Sequence, residues 1–126
     1  MLIIGHQAIP YPKFVKIHSI QDINHTLANE IVWFSSTEDE DFHISTFCHT
    51  NQVCYAFYAS TPSDLVIYAN LGAKYIITHS LFELQEIARD YLLDTQILFV
   101  IDDMQEIAEM IAKRVDGVIL ASVLKE

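Results

Sequence analysis

Residues 97–120 read ILFVIDDMQEIAEMIAKRVDGVIL and contain one complete strand–helix–strand unit. The run 97–101 is wholly apolar, which is typical of a strand buried on both faces of a sheet. Apolar residues then recur at the spacing of one helical face: Met104, Ile107, Ala108, Ile111, Ala112 and Val115. Asp116 and Gly117 turn the chain into the next apolar run, 117–120. The stretch therefore predicts a β–α–β unit.

The same unit recurs on the N-terminal side of this stretch. Successive strand candidates begin at intervals of 20–23 residues, at Ile31, Val53, Lys74, Ile97 and Gly117. An earlier strand is expected at 14–17, and Leu2–Ile4 is a candidate short strand. Strands that alternate with helices in this way are typical of parallel sheets.

This rhythm predicts an α/β fold in one domain, residues 1–126. We expect a mainly parallel sheet of about five or six strands with helices on both faces, which is the open doubly wound, flavodoxin-like architecture. Half of a βα barrel is the alternative, since the eight units of a complete barrel are not present.

Helix starts are marked by capping patterns. Thr61 and Pro62 place a cap residue before a proline at the first helical position. Ser80 with Glu83, and Asp103 with Glu106, have the spacing of a capping box. The acidic run 38–41 is expected to begin a helix that ends near Thr50, and residues 122–126 are expected to form a final helical turn.

Two segments carry a family resemblance. Residues 70–78, NLGAKYIIT, and 114–122, RVDGVILAS, resemble late βα units of phosphate-binding TIM-barrel enzymes, in which a helix ends in Gly-Ala or Asp-Gly before a strand. The resemblance implies parallel βα architecture. Those enzymes bind phosphate through glycine-rich loops after late strands. Here Ala121 and Ser122 come directly after the last strand, without a glycine, so no phosphate-binding residue is assigned.

Composition restricts the partners. Seven Lys and Arg face 17 Asp and Glu, and the net charge of −10 repels nucleic acids and anionic lipids. No apolar run approaches the length of a membrane span, and no signal peptide is recognisable, so we expect a cytoplasmic protein.

Apolar residues make up 52% of the chain, a surplus that favours a homodimer. The two cysteines, Cys48 and Cys54, are expected to be buried reduced thiols.

Polar residues follow several strands at the edge where parallel sheets bind ligands. His79 and Asp102 follow neighbouring units, and a histidine oriented by a carboxylate is a candidate general base. Thr78, Asp103 and Ser122 are candidate ligand-binding residues at the same edge. Helix capping is the competing interpretation for Thr61, Ser80 and Asp103.

We predict no metal site and no cofactor. The six histidines show no standard ligand spacing, and the three glycines form neither a dinucleotide-binding nor a nucleotide-phosphate loop. The role of residues 1–13 stays open. Two hypotheses remain: a self-associating regulatory or binding protein, or a small-molecule-binding domain or enzyme with its site around His79 and Asp102.

Overall fold

Seven short strands form one all-parallel sheet in the computed structural model, which describes residues 1–125. Leu2–Ile4 joins the sheet, so it has seven strands rather than the five or six expected. The strands are β1 (Leu2–Ile4), β2 (Phe14–Lys16), β3 (Ile31–Ser35), β4 (Tyr55–Tyr58), β5 (Tyr75–Thr78), β6 (Gln96–Ile101) and β7 (Gly117–Leu120).

Within residues 1–125, five α-helices and two 3-10 turns lie between strands, and a third 3-10 turn follows β7. The helices are α1 (Ile20–Ile23), α2 (His43–Thr50), α3 (Pro62–Asn70), α4 (Glu83–Asp90) and α5 (Ile107–Ala112). The 3-10 turns are Glu40–Phe42, Met104–Glu106 and Ala121–Leu124. Of the expected final turn at 122–126, Glu126 lies outside the described residues. No helix within residues 1–125 is long and apolar enough to cross a membrane.

The strand order is β1-β7-β6-β5-β4-β3-β2. From β2 to β7, every strand therefore lies beside the strand that follows it in the chain. Right-handed crossovers that always advance in one direction place all their helices on the same side of the sheet. This order identifies the half-barrel and not the doubly wound sheet, whose strand order reverses near its centre.

The two faces of the sheet are buried by different means. All five helices pack on one face, where the core includes Ile44, Leu65, Leu84 and Met110. The other face, here called the concave face, is formed by Ile4, Phe14, Ile31, Trp33, Ala56, Tyr75, Ile77, Leu98, Val100 and Ile119. Among residues 1–125, the hydrophobic side chains that add to it from outside the strands are those of Ala121, Val123 and Leu124 in the last 3-10 turn. The expectation of helices on both faces is thus corrected to one face.

The concave face buries its side chains by curling onto itself. The rings of Phe14 in β2 and Tyr75 in β5 lie 5.9 Å apart, although β3 and β4 separate these strands. A flat sheet would hold them about 14 Å apart. Gly5 permits close packing near the opposite edge, because its φ is +117° and a Cβ there would lie 2.7 Å from the Leu120 Cβ.

The capping predictions have mixed outcomes. Thr61 and Asp64 form the capping box of α3, and Asp103 and Glu106 form one at the turn 104–106. The Ser80 prediction was wrong, because α4 begins later, at Glu83, with no side-chain cap.

The predicted stripe of the last helix also shifts. The segment starts as a 3-10 turn, whose tighter winding changes the phase of the side chains that follow. Met110 is therefore buried, and Ile111 is 57% exposed.

The prediction of two buried thiols holds for one cysteine and was wrong for the other. Cys48 is buried, and burial raises the pKa of its thiol to about 12. Cys54 directly precedes β4 and is exposed.

The curl predicts energetic coupling between β2 and β5. Phe14→Leu and Tyr75→Leu should each destabilise the protein, and the double variant should lose less than the sum, with a coupling of about 0.5–1.5 kcal/mol from the ring contact. Urea unfolding measures all three free energies. Phe14→Leu combined with Phe57→Leu, on the opposite face, is the control and should be additive. Additive effects for Phe14 and Tyr75 would contradict the curl.

Candidate functional site

The carboxyl ends of the seven strands meet at one rim of the half-barrel. In closed βα barrels, the equivalent rim carries the active site, because loops from many strands converge there. The sequence-predicted residues lie along this rim: Thr78 ends β5, Asp102 follows β6 and Ser122 follows β7. The half-barrel thus brings residues that are far apart in sequence to one edge.

His79 and Asp102 lie on neighbouring strand ends and are both exposed. Thr78 is opposite Phe99, so Asp102 lies two residues further along its strand than His79 does, about 6.6 Å along the strand direction. Among residues 1–125, no hydrogen bond or ion pair joins the two side chains. The general-base pair therefore stays a prediction.

The other predicted rim residues have clear structural roles or lie open to solvent. Thr78 is 1% exposed, and its Oγ1 accepts a 3.4 Å hydrogen bond from the Leu81 amide. Asp103 Oδ1 accepts a 2.8 Å hydrogen bond from the Gln105 amide. Ser122 is exposed in the last 3-10 turn. Thr78 and Asp103 thus organise the segments that leave β5 and β6.

A buried ion pair lies at the same rim, on the concave side. Lys16 Nζ is 3.2 Å from Glu38 Oε1, and the two side chains are only 8% and 10% exposed. Lys16 is the last residue of β2 and lies two positions after Phe14. Residues two apart in a strand share a face, so the Lys16 side chain points to the concave face as Phe14 does. Glu38 comes from the turn after β3. The ends of two adjacent strands therefore place opposite charges next to each other at a position that is shielded from solvent.

The turn after β3 fixes the carboxylate. Glu38 Oε1 accepts hydrogen bonds from the Ser35 amide at 2.8 Å and from the Ser35 hydroxyl at 3.1 Å, in addition to the ion pair. Burial alone would raise the pKa of Glu38, but the hydrogen bonds from Ser35 and Lys16 outweigh burial and lower this pKa. Glu38 is thus held ionised beside Lys16.

Two aromatic side chains form the wall of the ion pair. Trp33 is opposite Lys16 in the sheet register, and Lys16 Nζ lies 4.3 Å from the centre of its ring. Tyr58 lies next to Trp33, with ring centres 6.3 Å apart. Burial raises the pKa of the Tyr58 hydroxyl, which therefore stays protonated at neutral pH. We call Lys16, Trp33, Ser35, Glu38 and Tyr58 the Lys16 site.

The Lys16 site contains an unsatisfied donor. Trp33 is 6% exposed, and in the described part of the chain its Nε1 has no hydrogen-bond partner. Buried polar groups are nearly always paired in native proteins, and an unpaired one destabilises the fold by about 1–3 kcal/mol. An unpaired indole N–H on the concave face therefore marks a position where an acceptor would be stabilised.

A second buried carboxylate has a structural role. Asp39 is 5% exposed and accepts hydrogen bonds from the Ile44 and Ser45 amides, the Ser45 hydroxyl and the Tyr68 hydroxyl. These bonds fix the start of α2 after two left-handed residues, Asp41 and Phe42. They also hold the 43% exposed Phe42 ring against Tyr68.

The Lys16 site is not among the sites predicted from the sequence. The available signal was a lysine at a position of β2 where alternation predicts an inward side chain, in the run FVKI. Glu38 gave no such signal, because its carboxylate folds back onto Ser35 and lies among four acidic residues that suggested a helix start. As for metals, no group of three His, Cys, Asp or Glu within residues 1–125 is placed to hold an ion.

The lowered pKa of Glu38 predicts acid sensitivity. At pH values above 4.5, the ordinary pKa of a glutamate, Glu38 is ionised in both the folded and the unfolded state, and its contribution to the free energy of unfolding is complete. At lower pH the unfolded state takes up the proton first, so the free energy of unfolding falls. Glu38→Gln should cost about 3 kcal/mol at pH 7, because the Lys16 ammonium loses a buried opposite charge. Urea unfolding from pH 7 to pH 3 should show this difference shrinking. The variant Glu109→Gln, at an exposed position, is the control and should show the same dependence of stability on pH as the wild type. A difference in unfolding free energy between the wild type and Glu38→Gln that stays constant with pH would contradict the Lys16–Glu38 ion pair.

Comparison with known proteins does not assign a family. No protein-family model and no curated protein matches the chain. The resemblance of residues 70–78 and 114–122 to phosphate-binding barrel units therefore stays a prediction.

Proposed function

We propose that the chain binds a small molecule at the Lys16 site. The buried Lys16–Glu38 pair carries this proposal. A buried ion pair adds little to stability, since apolar residues of similar size are often as stabilising or more so. The burial of a lysine and a glutamate at the carboxyl ends of parallel strands is better explained by a role in ligand binding than by a contribution to the stability of the fold.

The position of the pair supports the same function. Lys16, Trp33 and Tyr58 come from three adjacent strands, so the sheet register fixes their mutual geometry. Sites built on strands are held more rigidly than sites built on loops. A ligand bound there and extending along the rim would approach the ends of β5 and β6. In an enzymatic form of this proposal, His79 and Asp102 would act on the part of the ligand that extends along the rim.

Ligand binding should appear as thermal stabilisation that depends on Lys16. We expect at least one member of a panel of anionic, neutral and cationic metabolites to raise the melting temperature of the wild type, because a ligand at 100 times its dissociation constant adds about 2.7 kcal/mol. Lys16→Met should abolish the shift. Lys74→Met is the matched control, since Lys74 also lies over an aromatic ring, 5.6 Å from the centre of Tyr75. A panel without any shift would reject the proposal.

Self-association is the second candidate function, and one surface favours it. Val66 and Ile67 on α3 are each 41% exposed, and they line two adjoining surface depressions. Phe42 and Leu71 border one depression, and Ile87 and Tyr91 border the other. This continuous apolar surface contains no charged side chain among those lining residues, on a chain of net charge −10. A homodimer in the cytoplasm, as predicted from the composition, would cover it.

A charge placed on this surface should prevent dimer formation. We expect sedimentation equilibrium to show a dimer of the wild type at high micromolar concentration and a monomer of Ile67→Glu, because burying the new carboxylate is unfavourable. Ile111→Glu is the matched control, since Ile111 is 57% exposed on α5 and should leave the dimer intact. A monomeric wild type would exclude this function.

A further inference from the structure

We infer that a depression between the segment before β2 and the turn after β7 binds a small organic dianion. The depression is lined by Tyr11, Lys13, Phe14, Val123 and Lys125, and we call it the Tyr11 depression. Its volume of about 450 Å³ lies within the range of small-molecule sites, about 300–1,000 Å³. It shares no lining residue with the Lys16 site, so this inference does not rest on the proposed function.

The curl of the sheet assembles one wall of the depression. The 3-10 turn Ala121–Leu124 follows β7 but contacts β2, which lies at the far edge of the sheet. Val123 packs into the core of the concave face, and a Cβ on Gly5 would lie 3.1 Å from the Val123 Cγ2. Lys125 directly follows this packed turn, which therefore positions it next to the start of β2.

The opposite wall is stiff for a different reason. Tyr11 lies between Pro10 and Pro12, and each proline fixes its own φ and restricts the residue before it. The carbonyl of Lys13 accepts a 2.9 Å hydrogen bond from the Ile31 amide, which ties this segment to β3. A wall that is already ordered loses little conformational freedom when a ligand binds.

The two lysines of the depression have no opposite charge beside them. Within residues 1–125, neither Lys13 nor Lys125 forms an ion pair, and both are exposed. Glu30 lies beside Lys13 in the register of β2 and β3, but its Oε1 accepts a 2.7 Å hydrogen bond from the Leu27 amide. In the described part of the chain, no carboxylate lines the depression. Two of the seven Lys and Arg side chains therefore meet at one position without a counter-charge.

These side chains define the class of ligand. Two ammonium groups match an anion with two negative charges, because each ammonium then donates one charge-assisted hydrogen bond. The Tyr11 hydroxyl, which makes no hydrogen bond within residues 1–125, can donate another. Phe14 is buried and Val123 is partly buried, so the floor is apolar and favours a ligand with a carbon skeleton. Dicarboxylates and phosphate monoesters share this chemistry.

The overall negative charge of the protein does not prevent such binding. A net charge of −10 repels an approaching dianion at long range. At physiological ionic strength, however, salt screens charges that are more than about 8 Å away. The two lysines that touch the ligand are screened less, so their attraction decides the balance at the site.

An NMR titration of the full-length chain tests the inference. Val123 lines the depression, so its methyl signals in a ¹³C-correlated spectrum report binding there. Succinate and phenyl phosphate represent the dicarboxylates and the phosphate monoesters, and at least one should shift these signals in a saturable way at constant ionic strength. Succinamide, which has the length of succinate without its charges, should not. Monomethyl succinate, with a single charge, should bind more weakly than succinate.

Paired substitutions separate the two lysines from the overall charge. The double variant Lys13→Met and Lys125→Met should bind the dianion about tenfold more weakly, because both charge-assisted contacts are lost. The double variant Lys74→Met and Lys113→Met is the matched control, since it removes two positive charges elsewhere and reaches the same net charge. It should bind as the wild type does. All four lysines are exposed, so both variants should fold.

The possible results separate this inference from the proposed function. Val123 signals that neither dianion shifts would overturn it, and so would equal binding of succinamide or equal losses in the two double variants. Binding that Lys16→Met abolishes and the Lys13 and Lys125 double variant retains would place the anion at the Lys16 site and also overturn it. The reverse pattern is the expected one. A shift by succinate alone or by phenyl phosphate alone would identify the acidic group that the depression recognises.

Discussion

Both faces of the sheet are apolar, but the helices cover only one of them. Strands that follow one another in order, joined by right-handed crossovers, place every helix on the same side. The opposite face must then be buried by the sheet itself. Phe14 and Tyr75 show how this happens, because two rings from strands three positions apart meet across the concave face.

The curl also creates the candidate site. In a flat sheet, the last inward residues of β2, β3 and β4 would line an open surface, and a lysine there would extend into water. Here Lys16 packs on Trp33 beside Glu38 with little exposure. Desolvation strengthens the attraction between the charges and makes the unpaired indole N–H unfavourable. The curvature that buries the apolar side chains of the concave face thus also shields the polar groups of the Lys16 site from solvent.

Much of the fold could be predicted from local patterns. The apolar runs located the strands, and Thr61 and Asp103 located two segment starts, because these signals lie within a few residues of what they specify. The face covered by the helices could not be predicted, since it depends on strand order, which only long-range pairing determines. The same holds for the Lys16 site. Lys16 and Glu38 are 22 positions apart in the chain, and neither residue indicates the other.

The curl of the sheet is therefore the claim to test most directly. Nuclear Overhauser effects between the ring protons of Phe14 and Tyr75, measured in the full chain with selectively labelled aromatic residues, report this contact without any substitution. Clear cross-peaks are expected, because the ring centres are 5.9 Å apart. Cross-peaks from Phe14 to its strand neighbour Ile31 but none to Tyr75 would show an open sheet and contradict the curl.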